Sequence, residues 1–183
     1  FLAGQSSNSN SVCTSTNQSD WKSVSSDRTT GTIEYAVANP MTFITSNSYN
    51  EDWYYNNGSS AVDYTRWGNI KTIYDPCPAG WRVPDGGTDG IWDTADFDDP
   101  TFDGTNKGKT FSNNGIEIWY PAAGYLAYDM VLSNAGKSLY CWTATPWPDS
   151  AHAINLYFKS DSQNLATNHG MRVIGCSVRC CKE

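Results

Sequence analysis

The stretch that decides the reading is Lys71–Pro84, KTIYDPCPAGWRVP. Pro76 and Pro78 lie too close together for a helix to run through them, because each lacks a backbone N–H and fixes its own φ. Lys71-Thr72-Ile73-Tyr74 reads as a short extended run that ends at Asp75-Pro76-Cys77-Pro78. Trp81 and Arg82 follow and read as structural residues.

The chain changes character on either side of this string. Residues 1–30 are dominated by Ser, Asn and Thr and read as a linker or N-terminal extension, with Cys13 and Trp21 as possible anchor points. Residues 31–183 are expected to form one domain. Within it, Thr32–Val37 alternates like a strand, and Met41–Thr45 is extended. Asn56-Asn57-Gly58 signals a turn. Residues 85–110 read as a long loop with one helical turn near Ile91–Phe97. Ile116–Tyr120 is a strand, and Ile154, Leu156 and Phe158 alternate with Asn155, Tyr157 and Lys159 as in a half-buried strand. Met171–Cys180 reads as the last strand, broken near Gly175.

Composition agrees with a strand-rich chain. Aromatic residues reach 14%, with eight Trp and eleven Tyr, and such rings suit pleated sheets and contact surfaces. The net charge of −7 disfavours nucleic acid and anionic membrane surfaces as partners. No segment approaches the ~20 apolar residues of a membrane span. Six Cys at wide spacing beside only two His imply an oxidising compartment. The chain opens at Phe1 with neither Met nor signal peptide, so it is expected to be a processed piece of a longer exported chain.

Three strings resemble a known family when taken together: KTIYDPCPAGWRVP at 71–84, WYPAAGY at 119–125 and GCSVRC at 175–180. YCWTAT and AINLYF lie between them, and NPMTFI, DWYYNN and RWG lie upstream. The chain resembles the fimbrillin-associated and major-paralogue (FISUMP) domains of Bacteroides-type bacteria over roughly residues 32–181. The resemblance implies an α+β, C-type-lectin-like fold, strand-rich with short helices and long loops, stapled by disulfide. It also implies export and display at the outer cell surface, and it names no ligand. In relatives of this fold the region matching residues 140–175 diversifies ligand binding.

By that family pattern Cys77 pairs with Cys180. Cys141 and Cys176 stand where the family more often has aromatic residues, which suggests a second bridge and leaves Cys13 with Cys181. Six Cys allow 15 connectivities in all. Zinc is the rival use of these thiols, but it needs four ligands with short spacings, and only Cys180-Cys181 is a close pair. Arg82 and Arg179 are expected to snorkel or to pair with carboxylates near the Cys77–Cys180 bridge.

Other motifs have plainer readings. Asp85, Asp89, Asp93, Asp96, Asp98, Asp99 and Asp103 crowd one loop, and calcium takes such oxygens. The spacing fails the twelve-residue calcium loop, and the sugar-site strings of C-type lectins are absent, so turn-forming, solvated Asp is favoured and no cofactor is expected. Gly136-Lys137-Ser138 lacks the Gly that a phosphate loop needs five positions earlier, where Val131 stands. His152 and His169 could serve as general base or metal ligand, but no zinc-protease or nucleophile-elbow string accompanies them, and no metal is assigned.

The candidate ligand-binding residues are Trp147, Asp149, His152, Asn155, Tyr157, Gln163, Asn164, Asn168 and His169. Aromatic faces bury apolar surface while amides pair with polar groups, the chemistry of a glycan or protein contact. Trp142 is assigned to the core, whereas Trp147 sits between Pro146 and Pro148 in a stiff loop. The expectation is a non-catalytic adhesin or recognition module that binds a host or environmental glycan or protein. Its rivals are a structural pilus or assembly module that contacts other subunits, and an enzyme on a related fold.

Overall fold

The fold is described from a computed structural model for residues 22–45, 52–55, 66, 68, 70–88, 90–94, 101–148, 152–161 and 166–183. Asp75 organises the Pro-rich string. Its side chain is 1% exposed, and its carboxylate accepts from the backbone N–H of Cys77 at 2.8 Å and of Val83 at 3.1 Å. Lys71 Nζ lies 3.4 Å from the same carboxylate and donates to the carbonyls of Cys77 (2.7 Å), Pro78 (3.3 Å) and Trp81 (2.5 Å). Prolines leave this loop short of backbone donors, so one carboxylate and one ammonium satisfy groups that would otherwise be orphaned. The result is a turn, and the extended run expected at Lys71–Tyr74 does not form. Ile73 is consequently 91% exposed.

The string then docks on the main sheet. Strand β9 (Ser138–Pro146) is the long central strand. Pro84 accepts from the Ala144 N–H at 2.8 Å, and Gly86 N–H donates to Thr145 Oγ1 at 3.0 Å. A Cβ on Gly86 would stand 2.5 Å from Thr143 Oγ1, so only glycine allows this approach. Cys77, Val83 and Ala144 form a small buried cluster flanked by Val178 and Cys180. The Cys77–Cys180 disulfide closes it, joining residues 103 positions apart.

Antiparallel to β9 lies β10 (His152–Lys159), and beyond it β11 (Ala166–Met171); β12 (Ser177–Val178) runs parallel on the other side, giving the order β11-β10-β9-β12. A second sheet holds β4 (Phe102–Asp103), β5 (Gly108–Asn113) and β6 (Ile116–Pro121). Asn114 (φ 51°) and Gly115 (φ 78°) turn β5 into β6, the pair of left-handed residues that a two-residue hairpin requires. Leu139, Cys141, Leu156 and Phe158 pack against Phe111, Tyr120, Ala122 and Trp92 as the main core. Trp92 Nε1 donates to Tyr120 Oη at 3.0 Å, which satisfies the polar tips inside it.

Smaller pieces complete the fold. β1 (Lys22–Ser25) pairs in parallel with β2 (Thr42–Thr45), so the packed unit reaches into the segment expected as linker. β3 (Trp81–Arg82) pairs with β13 (Cys181–Lys182), and β7 (Tyr125–Leu126) with β8 (Leu132–Ser133). Arg82 pairs with Asp85 at 2.6 Å beside the staple, as expected. Strand outweighs helix throughout, consistent with a mostly β fold. No helix among the described residues is long and apolar enough to cross a membrane.

Several expectations are corrected. Ile33–Ala38 is a helix (α1), not a strand, because Thr32 Oγ1 caps it by accepting from the Tyr35 N–H at 3.1 Å. The long loop after Asp85 gives way to the β4–β5 hairpin, although its helical turn is present as α2 (Ile91–Thr94). The last strand is three pieces, with a turn after Met171 and a bridge at Gly175. Trp81, read as structural, pairs with Lys182 in the β3–β13 ladder and is 44% exposed. Cys141 and Cys176 are free thiols, not a second bridge. Ser177, not Cys176, stands opposite Cys141 in the ladder, which offsets the two thiols by one residue. Cys181 is a free thiol; the pairing expected for it involves Cys13, which lies outside the described residues.

Asp75→Ala is expected to lower stability by about 2–5 kcal/mol, since it strands two buried N–H groups, and urea unfolding reads this as a lower midpoint. Burial pushes the Cys141 thiol up to about 12 and raises Cys176 as well. Alkylation of the native protein at pH 8, mapped by mass spectrometry, is therefore expected to label Cys181 well before Cys141 or Cys176, because only the thiolate reacts.

Candidate functional site

The end of β9 carries Trp147 onto an exposed rim. Its N–H donates to the His152 carbonyl at 3.2 Å, which extends the β9–β10 ladder one residue beyond Pro146. Across the next pair, His152 stands opposite Met171, and Ile154 opposite His169. The two histidines therefore take diagonal positions on one face of adjacent strands. The His169 ring stacks on Trp147 with centroids 4.3 Å apart and planes 20° apart. The His152 ring meets His169 edge-on at 5.2 Å and 88°. Trp147 is 40% exposed, His169 is exposed and His152 half-buried. Trp147 and His169 present their rings to solvent beside the half-buried His152, on a backbone held by ladder bonds.

A second group supports this rim. Arg172 Nε donates to the His152 carbonyl at 3.4 Å, and its Nη1 lies 3.5 Å from Asp52. Asp52 also accepts from the Tyr54 N–H at 3.2 Å. Burial holds the Asp52 carboxyl above its ordinary range, outweighing the Tyr54 bond and the Arg172 charge. The Arg66 guanidinium lies 3.3 Å from the Tyr54 ring centroid, a cation–π contact. These four residues were not among the sequence candidates. The one signal for them was a set of arginines and aromatic residues in an acidic, arginine-poor chain.

The structure separates the remaining candidates. Asn155 is 1% exposed, and neither its Oδ1 nor its Nδ2 has a hydrogen-bond partner. It lies against Gly170, where an added Cβ would stand 3.2 Å from Nδ2. Asn155 is thus an interior residue, because β10 is covered on both faces at its centre. Tyr157 is five residues from His152 on one strand, so the two face opposite ways. Its ring continues a ladder with Tyr140 (4.8 Å) and Tyr125 (4.7 Å) on that other face. Asn168 is half-buried opposite Asn155. Asp149, Gln163 and Asn164 lie outside the described residues.

Asp85 and Asp103 of the acidic loop are used locally. Asp85 is taken by Arg82. Asp103 accepts from Asn106 and Thr105, bonds that hold its carboxyl below the usual range. Asp89, Asp96, Asp98 and Asp99 lie outside the described residues. Among the described residues no group of three or more His, Cys, Asp or Glu gathers. The crevice between Gly86, Gly87, Gly90 and β10 is too narrow to admit even a water molecule, so it holds no small-molecule ligand.

Compared with protein-family models, with curated proteins and with solved structures, the chain matches none.

The stacking has a spectroscopic consequence. In Trp147→Ala the His169 ring protons, freed from the indole's ring current, are expected to move downfield in proton NMR, while the Tyr157 ring protons stay in place.

Proposed function

We propose that this chain is a non-catalytic recognition module of an exported, surface-displayed protein, with a C-type-lectin-like fold of the FISUMP kind. It binds a glycan or a protein through the rim of Trp147, His152 and His169. The observation that carries this reading is the exposed Trp147–His169 stack at the end of the central strand. A rigid indole with a polar edge is a common anchor of binding energy. Here it loses little freedom on contact, because His169 already holds one face and the ladder holds its backbone. The Cys77–Cys180 bridge supports an oxidising compartment and hence export. The strand-rich architecture supports the fold assignment.

A specific observation also favours a second reading, an assembly module that contacts neighbouring subunits. Ile70 (85% exposed), Ile73 (91%), Tyr74 (44%) and Trp81 (44%) crowd one segment next to the staple. Exposed apolar groups gathered in this way mark contact surfaces. The two readings use different faces and separate by mutation.

The test screens the domain against glycan arrays and extracellular host proteins. Trp147→Ala is expected to lower affinity for the ligand found by at least about tenfold, roughly 1.4 kcal/mol. Tyr157→Phe and Ile73→Ser are expected to leave it unchanged. Binding that survives Trp147→Ala but fails in Ile73→Ser moves the function to the apolar segment.

A further inference from the structure

We propose that Lys107, Lys137 and Lys159 form a docking face for an acidic polysaccharide. The three come from separate segments and meet at the end of the main sheet away from Trp147. Lys159 ends β10, whose other end is His152, so the face lies roughly 24 Å from the rim at ~3.4 Å per residue. Lys137 immediately precedes β9, and its carbonyl accepts from the Ser160 N–H at 2.7 Å, which sets it beside Lys159. Lys107 closes the turn between β4 and β5, its N–H donating to the Asp103 carbonyl at 2.8 Å. Ala122 donates to the Lys107 carbonyl and accepts from the Gly136 N–H, each at 2.7 Å. A Cβ added to Gly136 would stand 3.8 Å from Lys107 Cγ, so the stem of Lys107 lies against the residue that precedes Lys137.

Charge complementarity sets the class of partner. All three lysines are exposed, and among the described residues none of them forms a salt bridge. Lys159 Nζ lies 5.7 Å from the Tyr157 ring centroid, a contact that leaves its charge in place. The acidic residues of the segments 103–107, 134–137 and 159–161 are Asp103 and Asp161. Asp103 offsets Lys107 only in part, since its carboxylate also accepts from Thr105 and Asn106. These segments therefore carry an excess of positive charge on a chain of net charge −7. They contain no large hydrophobic side chain. Protein interfaces are built on an apolar centre and are depleted in Lys, so a protein partner fits this face poorly. A membrane plane or a rigid duplex would bring the rest of the acidic surface against its own charge. One flexible anionic strand touches the lysines alone, with sulfate or carboxylate groups as their counterions.

The experiment titrates the intact chain with a heparin oligosaccharide by calorimetry at low and at physiological salt, and follows the wild-type protein by NMR. The expected result is saturable binding at low salt that weakens at physiological salt, because the charges are exposed and screened. The largest shifts are expected at Lys107, Lys137 and Lys159. The triple variant Lys107→Gln, Lys137→Gln, Lys159→Gln is expected to bind at least about tenfold more weakly. A charge-matched triple elsewhere on the surface, Lys22→Gln, Arg28→Gln, Lys182→Gln, is expected to bind as the wild type does, and so is Trp147→Ala. Absence of heparin binding at low salt, an equal loss in the two triple variants, or a loss confined to Trp147→Ala overturns the proposal. Tighter binding to phosphatidylserine vesicles or to polyglutamate than to heparin overturns it as well. The wild-type NMR titration decides the matter even if a variant folds poorly.

Discussion

The buried carboxylate of Asp75 is the constraint on which the rest depends. A string with prolines at 76, 78 and 84 cannot satisfy its own backbone, and Asp75 with Lys71 supplies the missing partners. That fixes Val83 and Pro84, which dock on Ala144 in the central strand. Three residues later the same strand delivers Trp147 to the rim. The disulfide adds a covalent limit at the same place, and closing so long a loop is worth about 4–5 kcal/mol in the chain-entropy account. The placement of the exposed Trp147 is thus tied to a buried carboxylate at Asp75, 72 residues earlier in the sequence (147 − 75).

The central sheet explains why the candidate site is smaller than composition suggests. Polar and aromatic residues from Trp147 to His169 are close in sequence, yet β10 sends alternate side chains to opposite faces. His152 goes to the rim, while Tyr157 joins Tyr125 and Tyr140 on the other side. Asn155 goes inside, where its amide lacks a partner. At 1% exposure Asn155 belongs to the interior rather than to a contact surface.

Much of this was legible in the residues, and what was not has physical causes. The β6 and β10 strands followed from their residue pattern, whereas Trp142, which is buried, was placed in the core by its position in the resembling family. The Cys77–Cys180 staple followed from the family resemblance alone. Thr32–Val37 misled because a six-residue helix is too short to display the 3.6-residue period, and the Thr32 hydroxyl caps one there. The β5–β6 hairpin was signalled by Asn114-Gly115, a turn pair hidden behind an Asp-rich stretch. The second disulfide was inferred from where Cys141 and Cys176 stand in the resembling family, and strand register sets Ser177 rather than Cys176 opposite Cys141. The rim's partners Arg172 and Asp52 come from distant segments, and no local pattern links them.

Chemical-shift mapping of the domain with a captured ligand tests the central claim most directly. The account predicts that the largest changes fall on the Trp147 indole N–H and on the rings of His152 and His169, with the Tyr125–Tyr140–Tyr157 ladder nearly still. Largest changes at that ladder, or around Ile70–Trp81 with the rim unmoved, would contradict it.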